Sequence, residues 1–242
     1  RECEIIMPKM PVLFVGHGSP MNAIEDNQYT RTWRSIAERI PKPDVILSLS
    51  AHWFTKGTRI MNQENPETIY DMYGFPEELY EVTYNTAGSP EKAKAAKDLI
   101  SRETIFDNSW GIDHGTWSVL VHMYPERDIS VFQISIDADA SPEEHYQIGK
   151  ELGALREQGV LIFGTGNVVH NLRLVDWHKV NKGFDWAYEF DEYICESILN
   201  KNYRNVLNYN ELGNISRLAV PTPDHFYPLL YMLGASDEDD KI

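Results

Sequence analysis

Histidine side chains follow the predicted buried strands of this sequence at the point where each strand ends. The three cases are His17 after Val12–Val15, His52 after Val45–Leu49 and His170 after Val160–Phe163. A single histidine after a strand is more often a hydrogen-bonding loop residue than a ligand. Functional groups of open α/β sheets gather outside the carboxyl ends of the strands, so three such histidines are expected to converge. The sequence therefore predicts a histidine cluster at one edge of a sheet.

Two further histidines are candidates for the same cluster. His114 precedes an apolar segment in the motif Asp113-His114-Gly115, and His225 follows Thr222-Pro223-Asp224, where we expect the first turn of the last helix. The remaining histidines have no comparable position in the sequence. We therefore expect surface or structural roles for His122, His145 and His178.

The chemistry expected of such a cluster is metal binding. Neutral imidazoles suit Zn(II), Fe(II), Cu(II) or Ni(II), whereas Mg(II) or Ca(II) would call for a cluster of carboxylates. Three or four neutral histidines leave the charge of a divalent ion nearly uncompensated and leave coordination positions open to substrate, water or O2. A centre of this kind attracts anionic oxygen ligands, and a bidentate catecholate suits it well.

Other familiar catalytic motifs are incomplete or absent in the sequence. Gly164-Thr165-Gly166 supplies two glycines of a dinucleotide fingerprint, but Val169 stands where the third is needed, so we exclude NAD binding. Ser19 is not the central residue of a GxSxG nucleophile elbow. The sequence also lacks the P-loop and HExxH motifs.

An alternation of strands and helices must position the histidines. Val131–Ile136 is a further apolar run typical of a buried strand. The predicted helices are Gln28–Ile40, Pro90–Ser101, a helix beginning at the capping box Ser141-Pro142-Glu143-Glu144, Phe184–Asn200, and a last helix through Leu229, Leu230 and Leu233. This alternation predicts an α/β fold with a mainly parallel central sheet flanked by helices, in a single domain spanning residues 1–242.

Composition and charge exclude several classes of binding partner and indicate the cellular compartment. The 242 residues include 37 acidic and 22 basic ones, and the net charge of −15 excludes a general electrostatic footprint for nucleic acid or an anionic membrane. The two cysteines, Cys3 and Cys195, exclude a disulfide framework and fit a reducing compartment. No apolar run approaches the roughly 18 residues of a membrane span, so we expect a cytoplasmic protein. The acidic tail Ser236–Asp240 is expected to be solvated or frayed.

Six segments of the sequence together resemble one protein family. They are Gly16-His17-Gly18-Ser19-Pro20-Met21-Asn22, Ser50-Ala51-His52-Trp53, Tyr73-Gly74-Phe75-Pro76, Trp110-Gly111-Ile112-Asp113-His114-Gly115-Thr116-Trp117, Gly166-Asn167-Val168-Val169-His170-Asn171-Leu172 and Thr222-Pro223-Asp224-His225. They are similar to the motifs of the class III extradiol ring-cleavage dioxygenases, in the branch of the 4,5-DOPA extradiol dioxygenase-like proteins. The resemblance runs from about Pro11 to Ala235 with the motifs in family order, and is far more specific than any single motif.

The resemblance implies an enzyme with one divalent metal per chain, Fe(II) for ring cleavage or Zn(II) as bound. Such an enzyme opens a catechol such as DOPA beside its two hydroxyl groups, using O2. Carried over by motif, His17 and His52 are metal ligands, and His225 stands where better-studied members use a carboxylate. His170 matches an acid/base position and is also a candidate ligand in this branch, while His114 matches a residue that contacts substrate.

The histidine at position 225 departs from the family pattern. It gives an all-histidine ligand set in place of two histidines and a carboxylate, unless Asp224 supplies the carboxylate. The family also implies a further strand beyond Ile242. We expect a monomer or small homo-oligomer whose partners are a small catechol and O2, with no nucleic acid or membrane. Four aromatic residues are expected either to wall the pocket or to pack in the core: Trp53, Tyr73, Phe75 and Trp117.

Two other function classes stay open at the level of sequence. One is a zinc hydrolase on the same histidines, in which metal-bound water is the nucleophile. The other is a metal-binding homologue that cleaves no ring and serves as an interaction protein. A requirement for Fe(II) and O2 separates ring cleavage from the hydrolase, and turnover in a catechol screen separates it from the non-catalytic homologue.

Overall fold

The centre of the fold is a four-stranded parallel sheet. The computed structural model describes residues 9–176, 178 and 182–242. In chain order the strands are β1 (Val12–Gly16), β2 (Val45–Ser50), β3 (Phe54–Thr55), β4 (Thr58–Ile60), β5 (Thr104–Phe106), β6 (Ser130–Gln133), β7 (Ile136–Asp137) and β8 (Val160–Gly166). The central sheet has the order β1-β8-β2-β6 with every neighbouring pair parallel. The predicted single-domain α/β fold with a mainly parallel sheet is confirmed.

The predicted strand Val131–Ile136 is wrong in its extent, because the chain leaves the central sheet partway along it. The Ile134 N–H still donates to the Ser48 carbonyl, at 3.0 Å. The Ile136 N–H instead donates, at 2.8 Å, to the carbonyl of Trp53, the residue just before β3. The segment is therefore divided into β6 in the central sheet and β7, which pairs with β3, while β4 pairs with β5.

Helices connect the strands and cover both faces of the sheet. They are α1 (Gln28–Arg39), α2 (Glu77–Tyr80), α3 (Pro90–Leu99), α4 (His114–Met123), α5 (Pro142–Leu152), α6 (Asp185–Leu199), α7 (Tyr203–Leu207), α8 (Asn214–Ala219) and α9 (Tyr227–Ala235). The capping box predicted at Ser141 is confirmed, since the Ser141 N–H donates to Glu144 Oε2 at 2.7 Å and Ser141 Oγ accepts from the Glu144 N–H.

Two hydrophobic clusters sandwich the sheet, as the alternation of side chains along a strand requires. All six residues of β2 are buried. Leu47 and Leu49 belong to the cluster that includes residues of α3, α5 and α9, whereas Ile46 belongs to the cluster that includes residues of α1 and α4. A third cluster joins α6, α7 and α8 to the outer side of α9. The sheet is thus buried on both faces, which fits its parallel strands.

The carboxyl ends of three central strands meet at one edge of the sheet. In the strand register Gly16 is paired with Gly166, and Ser50 is paired with Thr165. Consequently β1, β8 and β2 end side by side, with β8 in the middle. The segments that follow these ends are the ones that carry the candidate histidines.

Arg156 ties the acidic carboxyl-terminal tail to the body of the protein. Its almost completely buried guanidinium donates to the carbonyl oxygens of Met10 and Ala235 at 2.7 and 2.9 Å, and to the Asp240 carboxylate at 2.7 and 2.8 Å. Such charge-assisted hydrogen bonds are stronger than neutral ones. Of the two expectations for the tail, the solvated one agrees with the structure, since most of its side chains are exposed, while Asp240 is held by Arg156.

The structure bears on two features from which the compartment was predicted, the membrane-spanning segments and the cysteines. Among the described residues, no helix is both long enough and apolar enough to cross a membrane. Cys195 is exposed and has a free thiol. Cys3 lies outside the described residues.

Candidate metal centre

Five histidines lie together at the carboxyl edge of the sheet, and we call them the strand-end cluster: His17, His52, His114, His170 and His225. The ring centroid of His17 lies 5.0 Å from that of His52, 5.3 Å from that of His225 and 5.9 Å from that of His114. Burial, and after it the neighbouring His52, lowers the pKa of His17 well below its ordinary value, so this ring is neutral at pH 7. The structure thus brings all five candidate residues together.

Asp71, a residue that the sequence analysis did not single out, joins His52 to His114. Its Oδ2 lies 3.2 Å from His52 Nδ1, and its Oδ1 lies 2.9 Å from His114 Nδ1 and accepts from the His114 backbone N–H. Although burial opposes it, the contact with His114 lowers the pKa of Asp71, so the carboxylate is ionised. Its one signal in the sequence was its position just before the motif Tyr73-Gly74-Phe75-Pro76.

Gly115, in the first turn of α4, allows the helix to approach the end of β2 closely. A Cβ atom there would lie 2.7 Å from Ser50 Oγ and 2.8 Å from His52 Cδ2, closer than side chains normally come. Asp113 caps α4 and also accepts a hydrogen bond from Ser50 Oγ at 2.6 Å. The position of the His52 ring therefore depends on the absence of a side chain at residue 115.

His225 lies in the turn that precedes α9, which begins at Tyr227, and not in the first helical turn as expected. Its carbonyl accepts from the Asn167 N–H at 2.9 Å, and a Cβ on Gly166 would lie 2.1 Å from that oxygen. Its Nδ1 donates to the Asp224 carboxylate. Although burial opposes it, this hydrogen bond lowers the pKa of Asp224. Asp224 is therefore the hydrogen-bond partner of His225 Nδ1, and His225 Nε2 is the ring nitrogen that remains for another contact.

His170 stacks on His225. The ring centroids are 3.5 Å apart and the planes differ by 10°. Because the lone pairs of a ring lie in its plane, the two parallel rings direct theirs side by side, and ligand atoms of His170, Asp224 and His225 lie within 4.8 Å of one another. Burial, and after it His225, lowers the pKa of His170 to about 4, so the ring is neutral at pH 7.

The nitrogen atoms of the cluster fit a divalent metal. His17 Nε2 and His52 Nε2 face each other 3.2 Å apart, and ligand atoms of His17, His52 and His225 all lie within 4.8 Å of one another. Two nitrogen ligands at about 2.0–2.1 Å from a tetrahedral ion are about 3.3–3.4 Å apart. Burial, and after it His114, lowers the pKa of His52 to about 3. Neutral imidazoles in this arrangement suit zinc or a transition metal better than magnesium.

Of the two alternatives for the four aromatic residues, the structure shows core packing for the two tryptophans. Trp53 and Trp117 are buried in different hydrophobic clusters, on opposite faces of the sheet. Phe75 is half-buried against the core, whereas Tyr73 is 92% exposed. The ring centroid of Trp117 lies 6.5 Å from that of His114 in the strand-end cluster. The core-packing alternative therefore holds for the tryptophans.

A cleft of about 970 Å³ opens beside His17, between the loop that follows β1 and Asn167. Asn167 connects the cleft to the cluster, since its Nδ2 lies 3.5 Å from His17 Nε2 and its Oδ1 accepts from the Gly18 N–H. The cleft lining also includes Asn22 and Glu25. The side chains of Asn22, Glu25 and Asn167 offer hydrogen-bonding groups to a molecule bound in the cleft.

The other three histidines lie outside the strand-end cluster. His122 is half-buried, with its Nε2 2.7 Å from the Asn22 carbonyl oxygen. His178 is exposed, and His145 is completely buried between α5 and α9. These positions agree with the surface and structural roles expected for them.

Comparisons with known proteins connect this geometry to one group of enzymes. The model of the family described as the catalytic LigB subunit of aromatic ring-opening dioxygenase matches residues 7–242. The chain is 43% identical to the 4,5-DOPA dioxygenase extradiol of Escherichia coli K12, over 99% of this chain and 90% of that protein. It is 37% identical to the protein of the same name from Beta vulgaris, over 94% of this chain and 87% of that protein. A crystal structure of an uncharacterized protein from Escherichia coli K12 matches with a TM-score of 0.83 and 40% identity, covering 96% of this chain and 91% of that one.

Proposed function

Because this chain belongs to the LigB family of aromatic ring-opening dioxygenases, we propose that it opens a catechol beside its two hydroxyl groups at a divalent metal held by His17, His52 and His225. The enzyme class follows from the family: the protein is an oxidoreductase, an extradiol dioxygenase. The proposed substrate is a 3,4-dihydroxyphenyl compound such as DOPA, and the proposed metal is Fe(II), with Zn(II) as an alternative occupant.

The observation that carries the proposal is the pair of facing nitrogens, His17 Nε2 and His52 Nε2, 3.2 Å apart in neutral rings. Two lone pairs at this distance repel each other unless a cation or a shared proton lies between them. Fe(II) in this position would supply positive charge for a catecholate and an open coordination position for O2. Since the three proposed ligands carry no charge, the centre favours an anionic oxygen ligand over a neutral one.

The cleft beside His17 is the proposed place of the substrate's side chain. It reaches the cluster at Asn167, whose amide lies next to the His17 ring. Glu25 and the amides of Asn22 and Asn167 give the cleft a polar lining, which supports a catechol with a polar substituent, such as the amino-acid part of DOPA. The catechol oxygens would then lie toward the proposed ligands.

His170 is proposed as the acid/base. Its neutral ring accepts a proton from a catechol hydroxyl and returns it later, and its half-exposed position gives it access to a bound molecule. Because it stacks on His225, its ring lies directly beside a proposed ligand. His114, held near Asp71, is proposed to contact the substrate from the side of His52.

The experiment that tests this function is anaerobic loading with Fe(II), followed by addition of DOPA and O2. We expect O2 uptake in step with DOPA consumption and a yellow ring-opened semialdehyde, measured with an oxygen electrode and by visible absorption. The zinc-loaded protein is the control and should consume no O2. An ortho-quinone or an intradiol diacid as the main product would contradict the proposal.

The two competing functions give different outcomes in the same experiment. A zinc hydrolase on this cluster would act anaerobically with zinc, and a non-catalytic homologue would bind metal without consuming any catechol of a panel. The family, whose named relatives are dioxygenases, supports neither. We further propose that the protein works in the cytoplasm as a monomer or small homo-oligomer, which fractionation and light scattering would measure.

A further inference from the structure

Thr165 is a completely buried residue near the end of β8 whose hydroxyl joins His17 to α4. Its Oγ1 lies 2.7 Å from the Gly115 carbonyl oxygen and 2.9 Å from His17 Nδ1. The carbonyl of Thr165 accepts from the Ala51 N–H at 3.0 Å, which ties β8 to the segment that carries His52. The hydroxyl is therefore held in place between two strand ends and the start of a helix.

The two contacts of this hydroxyl determine where its hydrogen lies. A carbonyl oxygen only accepts, so at 2.7 Å from Gly115 the threonine must donate its single hydrogen to that oxygen. Otherwise two oxygen atoms would face each other with no hydrogen between them. The remaining contact, at 2.9 Å, is then one in which Thr165 Oγ1 accepts and His17 Nδ1 donates. The second ring nitrogen of His17, Nε2, is left without a hydrogen.

We propose that Thr165 is a positioning residue, which holds His17 in the tautomer that directs the lone pair of Nε2 toward the metal. This inference rests on the metal site of the proposed function. The other two proposed ligands, His52 and His225, have their Nδ1 atoms next to carboxylates. His17 alone among the three has a neutral partner, so here orientation and tautomer are set without an added negative charge.

Loss of the hydroxyl has a specific chemical consequence. With no acceptor at Nδ1, the tautomer with the hydrogen on Nε2 becomes favourable, because that hydrogen then points at His52 Nε2, 3.2 Å away. A hydrogen bond between the two rings would fill the space that the metal requires. Thr165→Val, which has nearly the same shape as threonine, should therefore weaken metal binding, whereas Thr165→Ser keeps the hydroxyl and should restore it.

The tautomer itself can be measured in the metal-free wild-type protein. Long-range ¹H–¹⁵N correlation spectra at pH 7 distinguish the two neutral forms of a histidine, and the His17 signals are identified by their absence in His17→Gln. We expect the hydrogen on Nδ1 in the wild type and in Thr165→Ser. A wild-type His17 with its hydrogen on Nε2 would overturn the inference, whether or not the valine variant folds.

The second measurement is the affinity for Zn²⁺ alone, by competition with a chromophoric chelator. Loss of a partner that orients a metal ligand typically weakens binding by about 10–100-fold, and we expect that loss in Thr165→Val with near wild-type affinity in Thr165→Ser. The matched control is Thr58→Val, which removes another buried hydroxyl, one that donates to Asp137 outside the strand-end cluster. It should keep wild-type affinity.

The outcomes separate this inference from the proposed function. Wild-type zinc affinity in Thr165→Val would overturn the role of Thr165 and leave ring cleavage untouched. A wild-type protein that shows the expected tautomer and zinc affinities but cleaves no catechol would overturn the proposed function and support the role of Thr165. Circular dichroism of each variant checks that the differences arise in a folded protein.

Discussion

The protein contains buried histidines in two different surroundings, the strand-end cluster and the contact between α5 and α9, where His145 lies. His145 lies on α5, completely buried, with its ring centroid 4.3 Å from that of Tyr227 and 4.9 Å from that of Tyr231 on α9. Burial lowers the pKa of His145 to about 4, and it lowers that of His170 in the cluster to the same value. A lowered pKa therefore does not distinguish a proposed functional histidine from one that packs between helices.

The surroundings of the two ring nitrogens do distinguish them. In the cluster, Nδ1 of His17, His52 and His225 each lies next to a hydroxyl or a carboxylate, and Nε2 atoms face a shared space. Within the described part of the chain, neither ring nitrogen of His145 makes a hydrogen bond of ordinary geometry. A buried neutral histidine is prepared for metal when a partner fixes its tautomer and a space lies in front of its other nitrogen.

Removal of the proposed ligands should give the largest difference in metal binding between the strand-end cluster and His145. We expect His17→Ala or His52→Ala to abolish stoichiometric metal binding without unfolding the protein, because each removes one of the two facing nitrogens. His145→Phe is the matched variant, with a ring of similar size in the same apolar setting, and should keep full occupancy. Elemental analysis with circular dichroism measures both properties. Full metal occupancy in either alanine variant would rule out the site.

Replacement of His170 tests whether one member of the cluster serves the reaction and not the metal. We expect His170→Gln to lower the single-turnover rate at saturating Fe(II) by about 10²–10⁴-fold, the usual contribution of a general acid or base. Its metal affinity should change little if the proposed ligands are His17, His52 and His225, because His170 is stacked on His225 and is not one of the three. A normal rate once the metal is saturated would eliminate the acid/base role.

The lowered pKa of His145 predicts how the free energy of unfolding depends on pH. An unfolded histidine titrates near its ordinary pKa of 6.5, whereas His145 in the folded protein titrates at about 4. Between these values the unfolded state binds more protons, so the free energy of unfolding falls as the pH falls. From pH 7 to pH 5 the loss due to His145 is about 2 kcal/mol.

Urea unfolding of His145→Phe and wild type at the two pH values checks this expectation. The variant should lose less stability than the wild type on acidification, because its phenylalanine cannot take up a proton. His178→Gln, a change at an exposed histidine, should follow the wild type. Parallel losses in His145→Phe and wild type would show that His145 titrates normally in the folded protein.

The smallest expected effect concerns a partner that the sequence did not reveal. Asp71→Asn keeps the shape of the side chain but removes the negative charge between His52 and His114, and we expect metal affinity to fall by about 10–100-fold. The control is Asp107→Asn, which disrupts an ion pair with Arg59 away from the cluster. Chelator competition gives both affinities, and equal values for the two variants would mean that Asp71 does not support the site.

Local sequence rules predicted the parts of the fold that depend on neighbouring residues. The capping box at Ser141 was predicted correctly because its two partners are three positions apart in one helix. The convergence of His17 and His52 was predictable because parallel strands have their carboxyl ends at one edge. These inferences require only a short pattern and a general rule of topology.

The features that sequence reasoning missed depend on long-range approach of the backbone. Asp71 lies in a loop, and its one local signal, the motif that begins at Tyr73, does not indicate that the loop passes beside His52 and His114. The predicted strand Val131–Ile136 is apolar throughout, so composition could not show that its last residues pair with an outer strand. Trp53 and Trp117 both follow histidines closely, yet the sheet lies between them.

Arg156 has a consequence for the order in which the protein acquires its structure during synthesis. Its guanidinium holds Met10, which leads into β1, together with Ala235 and Asp240. A chain emerges from the ribosome from its amino-terminal end, so Met10 and Arg156 are both synthesised before Ala235 and Asp240 exist. Neither this clamp nor the contact of His17 with His225 can form before residues 225–240 have emerged from the ribosome. The native contacts of this region are therefore completed only after the segment from His225 to Asp240 has been synthesised.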